Sequence, residues 1–197
     1  MTAVTPPSFA VAVDEVTVAR ARAGDEAALE ALFRQFEAPV YSLARRLTQS
    51  THDAEDVLQE TFLEVVRSIR RFRGDGSLAG WIRKVAASKA LMKLRRRRGS
   101  PLEHPLPDEL GEDALGVGTR APAASSAAER IDLEAALDRL SDAARAVIWL
   151  HDVEGYSHDE IAAMAGKTAS FSKSQLARAH ARLRELLAPG VREEPCT

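Results

Sequence analysis

Residues 155–187, GYSHDEIAAMAGKTASFSKSQLARAHARLRELL, leave this chain little freedom of fold. They read as two helices joined by a short glycine-containing turn, the second carrying Lys173, Gln175, Arg178 and Arg182 on one side. That layout is a helix-turn-helix, whose second helix can lie in the major groove of DNA. It points to nucleic-acid reading rather than catalysis. The rest of the chain must then account for a second, larger helical unit.

A chain of 197 residues can hold one ordinary domain or two small ones, and 45% hydrophobic residues are enough for globular folding. The formal net charge of −2 argues against a general nucleic-acid coat, but it hides segregation. Arg67, Arg70, Arg71, Arg73, Arg83, Lys84, Lys89, Lys93 and the run 95–98 stand almost unopposed, while acids gather at 53–64 and 103–113. Such asymmetry marks separate partner surfaces. The single cysteine, Cys196, excludes a disulfide framework and a cysteine-based zinc site. No apolar run approaches the ~20 residues of a membrane span. The N-terminal MTAVTPPSFAVAVDEV has no basic region before its apolar stretch, so no signal peptide is expected and the cytoplasm is the expected location.

Residues 1–18 read as a tail, with Pro6 and Pro7 blocking helix. Leu29, Leu32, Phe33 and Phe36 then recur at helical spacing, continued by Val40, Leu43, Ala44 and Leu47. Pro39 between them either opens a new helix or kinks a longer one. Ser50, three residues before Asp53, resembles a capping box, and the helix after it places Leu58, Thr61, Phe62, Val65 and Ile69 on one face. Its opposite face holds Asp56, Gln59, Glu60, Leu63 and Arg67. The glycines of RGDGS make a turn, and Ser77 can cap the next helix. There Leu78, Trp81, Ile82, Val85 and Met92 align before the helix ends in RRRR.

Residues 99–126 lose periodicity and are rich in Pro, Gly, Ala, Ser and acids, which predicts a flexible acidic linker. A second helical unit begins near Ala127, with Ile131, Leu133, Leu137 and Leu140, and ends near 188, leaving a C-terminal tail 189–197. No strand pattern and no internal repeat are visible. The expected fold is all-α: two small helical domains joined by a linker. His52, His104, His151, His158 and His180 are scattered without metal-ligand spacing, and Asp152 and Glu154 read as solvated. No Gly-rich phosphate loop, nucleophile elbow or convincing carboxylate pair is present, so neither an enzyme nor a cofactor is expected.

Three segments together carry a resemblance: DAEDVLQETFLEV, FRGDGSLAGWI with the basic helix after it, and LSDAARAVIWLHDVEGYSHDEIA. The chain resembles the bacterial RNA polymerase sigma factors of the extracytoplasmic-function (ECF) group, which keep only sigma domains 2 and 4. The resemblance spans roughly residues 19–187. It implies a domain 2 at 19–98 and a domain 4 at 127–188. It also implies core RNA polymerase and promoter DNA as partners, with domain 4 reaching the flap region. An anti-sigma factor is a possible further partner, and membrane insertion is not expected.

In that family the helix matching residues 53–69 docks on the clamp of the largest polymerase subunit. The face of Asp56, Gln59, Glu60, Leu63 and Arg67 suits this, with acids at the rim and Leu63 as apolar anchor. The basic helix and the loop before it, by the same resemblance, hold the melted −10 element. That role falls to Arg71, Phe72, Arg73, Arg83, Lys84, Lys93, Arg95 and Arg96. Each neutralised phosphate releases counterions, and melted DNA exposes bases to be read. Trp81 suits core packing better than base stacking. The −35 contacts fall to Ser172, Lys173, Ser174, Gln175, Arg178 and Arg182.

The chain departs from the family pattern at several positions. Ser88 and Met92 replace a usual Asn and Asp, and Gly80 a usual Thr or Ala. In the helix-turn-helix, Lys167 and Ser172 stand where Ile and Val are usual, so Phe171 is expected to take over as the buried plug with Lys167 exposed. Gln175 replaces an Arg; since Gln suits adenine and Arg guanine, it implies an adenine-shifted −35 element. The alternative functions are an autonomous helix-turn-helix regulator acting without polymerase, and a protein that occupies polymerase and blocks it. The linker acids Glu103, Asp108, Glu109, Glu112 and Asp113 either mimic nucleic acid in the polymerase channel or serve solubility alone.

Overall fold

The computed structural model describes residues 9, 10, 12–74, 76–97 and 127–187, the side chains of the last segment from 133 onward. The expected linker 99–126 and C-terminal tail 189–197 lie outside the described residues, as do 1–8 and 11; the N-terminal tail expected at 1–18 is shorter than that, because Asp14 caps α1, which starts at Glu15. Every regular element among them is helical: α1 Glu15–Ala23, α2 Glu26–Thr48, α3 Thr51–Ser68, α4 Leu78–Arg97, α5 Ala127–Asp138, α6 Asp142–Ile148, α7 His158–Ala165 and α8 Ala169–Leu187. A short 3₁₀ turn, Ile69–Arg71, follows α3, and one π-turn, Trp149–Val153, follows α6.

Local chemistry sets most of these boundaries. Asp14, Asp25, Ser50 and Ser141 each accept a hydrogen bond from a first-turn amide of the helix they precede. Ser77 does the same for α4, accepting from Gly80 N at 3.0 Å. Helix α2 runs unbroken through a buried Pro39, so the proline neither starts a helix nor ends one. The missing amide leaves one carbonyl of the preceding turn without its helical donor, a cost offset by burying the ring in the core.

Helices α2, α3 and α4 enclose the main core. Leu32, Phe36, Val40, Leu43 and Leu47 form the buried ridge of α2. Phe33, expected on that ridge, lies one 100° step away and is 38% exposed, its ring edge on Phe62 at a centroid distance of 4.8 Å. Helix α3 buries Ala54, Val57, Thr61, Phe62 and Val65, with Thr61 satisfied by the Val57 carbonyl. Helix α4 buries Leu78, Ile82 and Leu94 and four alanines (79, 86, 87 and 90), while Trp81, Val85 and Met92 are only half-buried. Small side chains on the inward face bring α4 close to both neighbours, which a search for large apolar residues misses.

In the second unit, Ala136, Leu140, Ala144 and Ile148 pack on Ala179 and Leu183 of α8. Leu133, expected in this core, is 42% exposed. The other side of α6 and α7 joins the first unit: Val147, Leu150, Tyr156 and Ile161 belong to one continuous apolar cluster with the α2–α4 core. Arg145, 3% exposed, reaches across from α6 to the Leu47 carbonyl at 3.4 Å while holding Asp142 at 2.9 Å. Arg97 of α4 bridges Asp53 and Asp142 at 3.4 and 3.0 Å. The two helical units are therefore docked.

Candidate functional site

Helix α3 splits the residues expected to meet a partner into two groups. Gln59, Leu63 and Arg67 are exposed in one line along the helix, Leu63 at 55%, and Val66 beside them is 52% exposed. Asp56 and Glu60 lie on the flank toward α4. There Lys93 holds Asp56 at 2.5 Å and Arg96 approaches Glu60 at 3.6 Å. The Lys93 hydrogen bond draws the Asp56 carboxyl below its ordinary value, and Asp56 in turn raises Lys93. Lys89 extends the ladder to Glu64 at 3.5 Å, a carboxyl lowered chiefly by the Ser68 hydroxyl. Much of the acidic patch thus neutralises the chain's own basic helix. What remains outward is an apolar stripe, Leu63 and Val66, with Phe33 of α2 also exposed. Sequence reading missed Val66 and Phe33 as parts of this surface.

The expected −10 residues are likewise divided. Arg71, Arg73, Lys84 and Arg95 are exposed. Lys93 and Arg96 are engaged with α3. Arg83 is engaged by the second unit: its Nη1 meets Glu154 at 3.3 Å and its guanidinium lies 5.1 Å over the Tyr156 ring. Phe72 is half-buried with its ring 5.6 Å from Trp81, so it is part of the core edge rather than a free stacking platform. Glu154, expected to be solvated, also accepts from Trp149 Nε1 at 3.3 Å.

The helix-turn-helix is built by caps. Ser157 and Glu160 form a reciprocal capping box at α7, which holds the Glu160 carboxyl low chiefly through the Ser157 backbone N–H. Gly166 ends α7 at φ +64°, a left-handed conformation that strains any side chain. The Thr168 hydroxyl then accepts from Phe171 N at 3.2 Å to start α8. Phe171, expected to be buried, is half-buried; it lines a small crevice together with Ala143, Ala146, Val147, Ile161 and Ala165 of its own unit and Leu91 and Leu94 of α4. Lys167, expected to be exposed, is half-buried with Nζ 6.0 Å over the Phe171 ring.

Ser172 is a correction. It was expected to touch DNA, but it is fully buried and its hydroxyl pairs with His158 Nδ1 at 3.0 Å. It lies on the inward line of α8 with Ala179 and Leu183, and His158 supplies the partner that makes a buried hydroxyl tolerable. Lys173, Ser174 and Arg182 are exposed, Gln175 and Arg178 half-buried. At 100° per residue Lys173 and Gln175 fall on opposite flanks of α8, while Ser174 and Arg178 flank the line opposite the buried one. Arg182 is paired with Glu185 at 2.8 Å.

Three of the scattered histidines meet here. Asp152 lies 2.7 Å from both His151 Nδ1 and His180 Nε2, and the His151 and His158 rings stack at 4.5 Å. This network ties the π-turn to α7 and α8. Its members are up to 29 positions apart, so no local spacing reveals it. Among the described residues no cluster of three or more potential ligands is arranged to hold a metal ion. No described helix is long and apolar enough to cross a membrane.

Residues 32–100 match the family described as Sigma-70 region 2, and residues 130–183 match Sigma-70, region 4. The chain is 36% identical over 176 residues to the ECF RNA polymerase sigma factor SigE of Mycolicibacterium smegmatis, covering 84% of this chain and 65% of that protein. It is 34% identical over 165 residues to the ECF RNA polymerase sigma factor SigM of Mycobacterium tuberculosis, covering 84% and 80%. Among solved structures, the sigma factor RpoE of Bartonella quintana, crystallised with the anti-sigma factor NepR, shares the fold. Its TM-score is 0.53 at 23% identity, over 82% of this chain and 97% of that one.

Proposed function

The chain belongs to the sigma-70 family of RNA polymerase sigma factors, in its ECF group, and on that premise we propose that it is a transcription initiation factor. It binds core RNA polymerase, directs it to −35 and −10 promoter elements and assists melting. The chemistry of RNA synthesis belongs to the polymerase; this protein is not itself an enzyme, and it works in the cytoplasm. Domain 2 comprises residues 19–98, domain 4 residues 127–188, and 99–126 links them. The observation that carries this reading is the exposed stripe of Gln59, Leu63, Val66 and Arg67 on a helix whose neighbour, α4, carries exposed cations. Apolar surface ringed by polar groups is what a protein interface needs at its centre.

On this reading Leu63 and Val66 anchor α3 on the polymerase clamp, with Gln59 and Arg67 beside them and Asp56 and Glu60 at the margin. Arg71, Arg73, Lys84 and Arg95 meet the −10 strand first, because they are exposed. Arg83, Lys93 and Arg96 join only on leaving Glu154, Asp56 and Glu60. In the −35 duplex Arg178 and Lys173 meet phosphate and Gln175 reads a base edge. The flap region, reached through domain 4, and an anti-sigma factor are further partners.

An autonomous regulator is not favoured, since it gives the exposed α3 stripe no role. The test is run-off transcription with purified core polymerase on a promoter library. Promoter-specific transcripts that require this chain support the reading. Duplex binding without polymerase and without transcripts favours the autonomous regulator.

A further inference from the structure

A cavity of about 420 Å³ lies at the seam of the two docked units. Arg46 of α2 and Arg83 of α4 line it from the first unit; Trp149 and Glu154 of the π-turn line it from the second. Its size falls in the ~300–1,000 Å³ range of small-molecule sites. Three features give it a chemical preference. Two guanidinium groups face one carboxylate, so the lining carries a net positive charge. Arg46 has no carboxylate or hydrogen-bond partner among the described residues, yet its guanidinium is held 4.6 Å over the Trp149 ring. Arg83 Nε is buried without a hydrogen-bond partner, although Nη1 reaches Glu154. The Arg83 charge is thus met by Glu154, but one shielded N–H still lacks an acceptor, which a ligand oxygen can supply. The remaining wall includes Phe9 and Leu43, which an inorganic ion would leave wet.

We propose that this seam is a binding site for a small organic monoanion, an aromatic carboxylate whose carboxylate sits between Arg46 and Arg83 and whose apolar body lies against Trp149. Such a ligand touches both units and stabilises their docked arrangement by mass action. It also competes for Arg83, which the proposed function assigns to the −10 strand. Only this consequence rests on that assignment; the binding itself does not. The site makes promoter engagement responsive to a metabolite without any second protein.

The test is isothermal titration calorimetry on the full chain, with phenylacetate as the probe, 2-phenylethanol as its uncharged counterpart and inorganic phosphate as the anion without an apolar body. No polymerase or DNA is present, so the outcome is independent of the transcriptional reading. The expected result is saturable binding of phenylacetate, weakened about tenfold or more in Arg46→Gln, in Arg83→Gln and in the alcohol. Arg46 is exposed and outside the core, so R46Q keeps the test valid even where R83Q perturbs folding. Absence of saturable phenylacetate binding overturns the proposal. So does unchanged affinity in R46Q, or phosphate binding as tightly as phenylacetate.

Discussion

The His158–Ser172 pair places a hydrogen bond between two polar side chains inside the helix-turn-helix, and its energetics are open to a double-mutant cycle. Ser172 is fully buried and His158 half-buried, joined at 3.0 Å. His158→Ala strands a buried hydroxyl and removes the stack on His151, with an expected cost of about 2 kcal/mol. Ser172→Ala leaves an imidazole nitrogen that water can still reach, at about 1 kcal/mol. The double variant relieves the stranded hydroxyl and should fall short of the sum by about 1 kcal/mol. Acid should act on the same contact. His158 is held below the ordinary imidazole value first by burial, then by His151 and Lys173, with Asp159 and Asp152 opposing. The unfolded chain therefore takes up this proton before the folded one. The stability His158 confers is complete above about pH 6.5 and is lost as the pH falls below that value. Urea unfolding and hydrogen exchange of the α8 amides, measured from pH 8 to 5.5, read both effects. H158A should flatten the acid limb. Additivity of the two variants within about 0.5 kcal/mol, or an acid limb unchanged in H158A, would show that the two side chains are not coupled.

Other expectations follow from single contacts. Gln175→Arg should move the preferred −35 base from adenine toward guanine in a binding-site selection with holoenzyme; an unchanged base contradicts the assignment. Ser157→Ala removes the reciprocal cap of α7 and should cost about 1 kcal/mol in urea unfolding. Gly166→Ala should cost about 1–2 kcal/mol for its left-handed φ of +64°, with Arg95 Nη1 only 3.3 Å from the new methyl. Exposed Arg71 and Arg95 should each contribute to the salt dependence of open-complex formation, so that replacing either by alanine lowers the slope of log K against log salt by about 0.7.

How much of this was legible in the sequence depended on the range of the interaction. Caps act within three residues, and those at Ser50 and Ser77 were readable. The α2 ridge followed from period alone, but Phe33, one step off the stripe, could not be assigned inward or outward without knowing where α3 crosses it. The interior of α4 was under-read because alanines carry little hydrophobic signal, though their small size is what permits close packing. Ser172 stands where the resemblance has an apolar Val, and its burial follows that pattern; its hydroxyl suggested DNA because the partner inside, His158, lies 14 positions earlier. The histidine network, the Arg145 bridge and the Glu154–Arg83 pair join residues far apart in sequence, so only the docked fold reveals them. The same holds for the acids of α3. Their abundance was plain, but Lys93 and Arg96 standing opposite Asp56 and Glu60 was not.

On the proposed function, the apolar stripe of α3 grips the polymerase. The most direct measurement is the affinity of fluorescently labelled chain for purified core enzyme, comparing wild type with Leu63→Ala/Val66→Ala. Both residues are more than half exposed, so the double variant should fold normally. The expected result is a Kd raised at least about tenfold, equivalent to ~1.4 kcal/mol, with a parallel loss of promoter-specific transcript. An unchanged Kd in a folded double variant contradicts the account.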